Sequence, residues 1–379
     1  MNHSEVKSPT VVLNSSHFPV ISSGSGSNGS SRGIAVKDIQ AEAEKLLKEM
    51  NDPKENIGIF RVRTANQCIE DAKNRPIPGM LFGELWYEGE ICILFADSNL
   101  GKSILAVQIA ISISEGIPIE SFNLESPAQK VLLCDFELSD KQFEARYSVD
   151  FDNHYRFNPN FFRAEINPDE PIPDGYGSFE DYLIHSLEQA ITRTGAKVLI
   201  VDNLTYLKNE TEKAKDALPL MKKLKELANR HGLSILVLAH TPKRDMTKPI
   251  TRNDLHGSKM LMNFCDSSFA IGESHRDSGL RYIKQIKARN IEILYDSENV
   301  CLCQIIKPYN ILQFEFLSFG SEYEHLKRYS EDEKDKRIAD VLELKKQGLS
   351  NFEIAGRYGV SEGALRKWIK KSKENENTN

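Results

Sequence analysis

Residues 91–110 read ICILFADSNLGKSILAVQIA. An apolar run, Ile91 to Phe95, enters a short polar loop, and an apolar helical pattern leaves it. Between them stands Gly101-Lys102-Ser103, the close of a phosphate-binding loop of the form G-x-x-x-x-G-K-[ST]. A loop of this kind uses backbone N–H groups at a helix N-terminus, where the helix dipole also favours an anion. The predicted nucleotide-binding stretch is Ala96, Asp97, Ser98, Asn99, Leu100, Gly101, Lys102, Ser103 and Ile104. Lys102 is expected to reach the β- and γ-phosphates, and the Ser103 hydroxyl to ligate Mg²⁺. Position 96 is alanine where the pattern has glycine. Alanine removes no ligating group, so binding is expected to survive the change.

That strand–loop–helix unit belongs to a longer alternation. Apolar runs at 91–95, 131–136, 198–202 and 234–239 alternate with helical patterns at 103–115, 139–148, 178–194 and 213–231. Such alternation predicts a mostly parallel sheet flanked by helices. After residue 264 the runs at 268–272, 280–286, 300–306 and 311–317 are split by turn residues and predict antiparallel edge strands. The fold class is therefore α/β, with a small all-α unit behind it.

The expected boundaries run as follows. Residues 1–33 are rich in Ser, Gly and Asn and bury too little to offset folding entropy, so they predict a disordered tail. Their G-x-G-x-x-G match at 24–29 has no strand before it and carries no weight. Residues 34–75 form a helical segment, with Val36, Ile39, Ala43, Leu46 and Leu47 on one side of a helix over 35–50. The α/β core spans 76–318, a linker 319–333, a three-helix unit 334–373, and a frayed end 374–379.

Composition excludes several classes. Hydrophobic content of 40% and charged content of 27% describe an ordinary globular chain. No apolar run reaches the ~20 residues of a membrane helix, and no secretory leader opens the chain, so a cytoplasmic address is expected. Cys68, Cys92, Cys134, Cys265, Cys301 and Cys303 are scattered. Cys301 and Cys303 lie in an alternating strand without a second pair, so no structural metal is expected. Net charge is −6, yet residues 334–373 carry 11 Lys+Arg against 5 Asp+Glu, which leaves −12 on the remainder. A basic end on an acidic body predicts an anionic partner for that end.

Three further strands are expected to converge on the loop. VLIVDN (198–203) ends in Asp202, placed to hold Mg²⁺. VLLCDFELSDKQFEARY (131–147) delivers Asp135 and Glu137, either of which could orient and deprotonate a water, and periodicity does not separate them. Ser139 caps the following helix. SILVLAH (234–240) ends in His240, a candidate contact to the γ-phosphate or the water.

The ordered set resembles the RecA-type core of hexameric helicases, over about 76–316. FELSDKQFEAR is similar to the S-L-E-M-S-x-x-Q-x-x-x-R stretch of DnaB-type helicases, a resemblance that places the catalytic glutamate at Glu137. PIPGMLFGELWYEGEICILFADSNLGKS and LAHTPK resemble segments of the plasmid-replication helicase RepA and the wider KaiC/RecA-like ATPases. DLHGSKMLMNFCDSSFAI resembles their R-G-S-x-x-L segment and the strand after it. Ala96 and Leu100 depart from the small residues usual there. The resemblance implies ATP and Mg²⁺ as ligands and a homo-oligomeric ring, possible as a hexamer, with ATP between subunits. It also implies a basic finger from the neighbour, for which YIKQIKARN offers Lys287 and Arg289 on one strand face.

The basic end divides into three helical patterns. Ile338, Val341 and Leu342 form the first stripe; Ser350 and Glu353 make a capping box for the second helix; Ser361 caps the third. Ile354, Ala355, Tyr358, Leu365, Trp368 and Ile369 are expected to face inward. The arrangement resembles the helix-turn-helix domains of recombinases and sigma-like regulators. Ser361, Glu362, Gly363, Arg366 and Lys367 would then meet base edges, and Lys370 and Lys371 phosphates.

The expected function is a Mg²⁺-dependent ATPase acting on DNA, RepA-like in replication or mobilisation. The competing expectation is an ATP-dependent DNA-binding regulator with little unwinding.

Overall fold

The computed structural model describes residues 55–167, 169–203, 217–242, 244–255, 258–328, 331–358 and 360–376. The tail 1–33, the helix expected over 35–50, His256, Gly257, Gly359 and the side chain of Lys371 lie outside the described residues. The chain divides into two compact units, Met1–Pro76 and Ile77–Asn379.

In the first unit the described part is a hairpin, Glu55–Ile57 against Phe60–Val62, followed by a helix, Ala65–Lys73. Thr64 caps that helix in a box with Gln67. The segment expected to be helical thus begins its described part with strands. Its Ile-Gly-Ile turn, with Gly58 at φ +58°, favours a reversal of the chain.

In the second unit, among the described residues, nine strands form one sheet. In chain order they are β1 (Ile91–Ala96), β2 (Val131–Asp135), β3 (Phe161–Ala164), β4 (Val198–Asp202), β5 (Ser234–His240), β6 (Ser267–Glu273), β7 (Leu280–Lys287), β8 (Val300–Ile306) and β9 (Gln313–Gly320). Their spatial order is β9-β8-β7-β6-β1-β5-β4-β2-β3. The six from β6 to β3 pair in parallel, and β7, β8 and β9 run antiparallel. The expectation that 268–272 is an antiparallel edge strand is corrected: β6 is an interior strand, parallel to β1. Its buried polar start, Asp266 to Ser268, broke up the apolar run that marks an interior strand. Strand β3 was missed altogether, being four residues with an arginine in the run.

Helices α1 (Lys102–Glu115), α2 (Asp140–Arg146), α3 (Phe179–Thr194), α4 (Ala217–His231), α5 (Ser258–Phe264) and α6 (Glu322–His325) surround this sheet. Alternation along the strands sorts the core into two clusters. Cys92, Leu94, Val131, Leu133, Val198, Ile200, Leu236 and Leu238 pack with α1. Ile91, Ile93, Phe95, Leu132, Leu199, Val201, Ile235 and Val237 pack with α3 and α4. Helix α1 lies at the centre and is buried almost all round, which explains its largely apolar sequence. Helices α2 and α3 begin at Ser139 and Ser178, whose side chains accept from backbone N–H groups three residues on.

Part of the stretch expected as a linker is structured. Helix α6 buries Glu322 and His325. Its charges concealed it, because they are satisfied inside the protein: Glu322 pairs with Lys284 at 2.5 Å and accepts from the Ile250 N–H at 2.6 Å.

Helices α7 (Glu331–Lys346), α8 (Asn351–Tyr358) and α9 (Glu362–Glu376) follow. Val341, Ile354, Ala355 and Leu365 form a small buried cluster, joined by Leu344, Leu349, Tyr358, Trp368 and Ile369. On α7 Val341 is buried, while Ile338, Leu342 and Leu344 are half-buried and Leu344 packs on the cluster. Arg337 lies over the rings of Tyr358 and Trp368, 5.1 Å from each centroid.

Candidate nucleotide site

Register sets the site. Asp202 pairs with Asp135, and His240 with Ala96, so the carboxyl ends of β1, β2, β4 and β5 finish level. Parallel strands bring the residues after those ends to one edge, the place where open α/β sheets bind ligands.

The loop between β1 and α1 is shaped by two residues at positive φ, Asn99 at 64° and Gly101 at 92°. Gly101 also has no room for a side chain: a Cβ there would stand 2.5 Å from Ile305 Cδ1. The two departures from the usual loop have a packing reason. The Ala96 methyl and the Leu100 side chain are both buried in the cluster beneath α1. Ala96 closes the strand, and its carbonyl accepts from the Thr241 N–H at 3.2 Å.

Lys102 opens α1 and is buried. Its Nζ donates to the carbonyls of Ala96 at 3.0 Å and Asp97 at 3.2 Å, and lies 3.2 Å from His240 Nδ1. Burial lowers its pKa, against the pull of Asp202, Glu137 and Asp97. The Ser103 hydroxyl hydrogen-bonds to the Asp202 carboxylate. Asp202 is 3% exposed, and burial pushes its carboxyl up to about 6. A hydroxyl and a carboxylate oxygen are the hard donors that Mg²⁺ prefers, so the pair fits that ion.

The structure separates the two carboxylates after β2. Asp135, 2% exposed, accepts from the N–H groups of Glu137 and Leu138 at 3.1 and 3.0 Å and from Arg163 Nε at 3.0 Å. It is committed to holding the turn. The Glu137 side chain is 41% exposed and stands beside His240, with Oε1 3.5 Å from Nε2. His240 leads the causes that hold its carboxyl below the ordinary range, with Lys102 and Asn203 adding to the effect against burial. Glu137 is therefore ionised at neutral pH and able to accept a proton.

Sequence reasoning missed Asn203. Its amide nitrogen donates to Glu137 Oε1 and lies 3.1 Å from His240 Nε2. The only signal in the sequence was a polar residue directly after Asp202. Also missed were Thr241 and Arg244, both bonded to the Asp97 carboxylate.

Lys287 and Arg289 are not brought to this edge. Strand β7 runs against β6 and pairs Lys287 with Ser268, so both bases emerge at the opposite edge of the parallel strands. Lys287 Nζ donates to the carbonyls of Met262 and Cys265, the latter at 2.7 Å. Arg289 pairs with Asp266 at 2.8 Å.

On α9, Ser361 accepts from the Ala364 N–H at 3.2 Å and caps the helix. Ser361, Gly363, Arg366, Lys367 and Lys370 are exposed, and Glu362, half-buried, pairs with Arg366 at 2.6 Å. The Ser350–Glu353 capping box is present.

The model of the AAA domain family matches residues 62–246, which contain the phosphate loop and all four strand ends. The core has the expected α/β architecture, a mostly parallel sheet flanked by helices with the phosphate loop after β1. The solved structure of a KaiC-like protein from the hyperthermophilic archaeon Pyrococcus horikoshii OT3 is similar at 14% identity, over 61% of this chain and 91% of that one, with a TM-score of 0.43. No curated protein matches the chain.

Proposed function

We propose that the chain is a Mg²⁺-dependent ATPase that oligomerises and acts on DNA, in a RepA-like role. The observation that carries the hydrolytic reading is the contact chain Lys102–His240–Glu137, joined by Asn203, at the mouth of the phosphate loop. Water attacks the γ-phosphorus; its oxygen bonds to phosphorus as the bridging bond to the β-phosphate breaks, and ADP leaves with that electron pair. Glu137 accepts the water's proton. Lys102 turns its donors from loop carbonyls to phosphate oxygens, and the loop amides of 97–104 hold the β-phosphate. Ser103 and Asp202 would hold Mg²⁺, which would neutralise charge developing on the phosphates. His240, between Lys102 and Glu137, reads whether the γ-phosphate is present. Lys287 and Arg289 would complete a neighbouring subunit's site after leaving their present partners.

DNA is the partner proposed for the tail. Ser361, Glu362, Gly363, Arg366 and Lys367 would face base edges, with Lys370 and Lys371 on phosphates. A second reading, an ATP-dependent DNA-binding regulator with little unwinding, is favoured by one observation: both finger candidates are occupied within their own chain.

The test is ATP turnover with and without single- and double-stranded DNA. Lys102→Ala and Glu137→Gln are each expected to lose nearly all turnover, and Glu137→Gln to keep nucleotide binding. Equal turnover in the native chain and both variants refutes the site. No strand displacement, with site-specific duplex binding that depends on ATP, favours the regulator.

A further inference from the structure

The second position of the phosphate loop is an acid. Asp97 supplies its carbonyl to Lys102, but its carboxylate faces away, to the segment that follows β5. There Thr241 Oγ1 donates to Oδ1, and Arg244 Nε approaches Oδ2 at 3.3 Å. The Arg244 side chain is 4% exposed. Its NH1 lies 3.4 Å from the Lys248 carbonyl, and it hydrogen-bonds to the buried Tyr282 hydroxyl. Tyr282 in turn donates to Glu322 at 3.2 Å, within the cluster that includes Lys284 and the Ile250 N–H. A buried arginine thus ties the phosphate loop to the segment after the His240 strand, and through Tyr282 to β7 and α6.

The charge has a consequence if the loop holds a triphosphate, so the inference rests on the ATP reading. A carboxylate inside a phosphate-binding loop repels the ligand unless a cation compensates it, and in a partly buried site that repulsion is weakly screened. Among the described residues Arg244 is the cation bonded to Asp97. We propose that Arg244 is a positioning residue that neutralises Asp97, so that nucleotide affinity depends on the charge balance of the pair rather than on either side chain alone. Arginine suits the position because its planar fork reaches a carboxylate, a carbonyl and a hydroxyl at once, which a lysine's single ammonium does not.

The experiment is a double-mutant cycle read by binding of a fluorescent ATP analogue and of ADP, with thermal melting of each variant. Arg244→Gln leaves Asp97 uncompensated and is expected to weaken ATP binding roughly tenfold, with a smaller loss for ADP. Adding Asp97→Asn to Arg244→Gln is expected to recover most of that loss, because the repelling charge is gone. Asp97→Asn alone leaves the Arg244 charge uncompensated beside the phosphates and is expected to tighten ATP binding several-fold, more than ADP binding. This single variant decides the matter if Arg244→Gln fails to fold. Native affinity in Arg244→Gln, a double variant no tighter than Arg244→Gln, or native or weaker affinity in Asp97→Asn alone would each overturn the proposal. Lys102→Ala measured alongside keeps the two readings apart. Binding that survives Lys102→Ala undoes the ATP site itself. Lys102-dependent binding that ignores the pair undoes this inference alone.

Discussion

Asp135 and Glu137 are two residues apart, and on a regular strand they would share a face. Strand β2 ends at Asp135, however, and the turn beyond it separates their environments. Burial and Arg163 consume Asp135, and Glu137 is left at the solvent edge beside His240. Asp202 has a different environment again, and it makes a testable pH signature. Its carboxyl titrates at the ordinary value, 3.8, when unfolded and at about 6 when folded. Between these values the folded state holds more protons, so stability is lost as pH rises through that window. Asp202→Asn is therefore expected to be more stable than the native chain at pH 8, by on the order of 2–3 kcal/mol, with the gain vanishing near pH 4. Melting curves in metal-free buffer across that range check it; a constant difference between the two proteins would contradict the assignment.

Among the elements, α6 and β7 are joined by a buried ion pair. Lys284 Nζ donates to Glu322 at 2.5 Å, to the Ile250 carbonyl at 2.7 Å and to Ser297 Oγ at 2.7 Å. Removing one partner leaves a buried charge uncompensated, which costs about 3–5 kcal/mol. Glu322→Ala is expected to lose about that much in urea unfolding, and Glu322→Leu with Lys284→Met to recover most of it. Equal stability of Glu322→Ala and the native chain would show that the pair contributes nothing. The same pair explains why 319–333 reads as a linker: hydropathy records charges as exposed, and here they are satisfied indoors. The same error made β6 read as an edge strand, for Asp266, Ser267 and Ser268 at its start are buried and hydrogen-bonded.

At the scale of the molecule, helices α7, α8 and α9 gather round an apolar cluster of their own, and α9 carries the excess of basic residues. Deleting residues 334–379 is expected to abolish affinity for duplex DNA and to leave basal ATP hydrolysis in place. Fluorescence anisotropy with a labelled duplex and a phosphate-release assay read the two separately, and unchanged duplex affinity would remove DNA from the role proposed for the tail. Among the described residues no helix is long and apolar enough to cross a membrane.

Local sequence sufficed for what depends on neighbours along the chain: strand β1, the Gly101-Lys102-Ser103 loop, helix α1, the serine caps, and strands that end in Asp202 and His240. Periodicity and turn chemistry act over a few residues, so those features are written where they occur. Tertiary structure decided what depends on distance in space. It set Asn203 between Glu137 and His240, gave Asp135 to Arg163, placed β6 inside the sheet, and sent Lys287 and Arg289 to the far edge. The physical reason is that a polar side chain's role follows from the partner that satisfies it, and in this sheet those partners come from far along the chain, as Ser267 on β6 does for Glu90, 177 residues away.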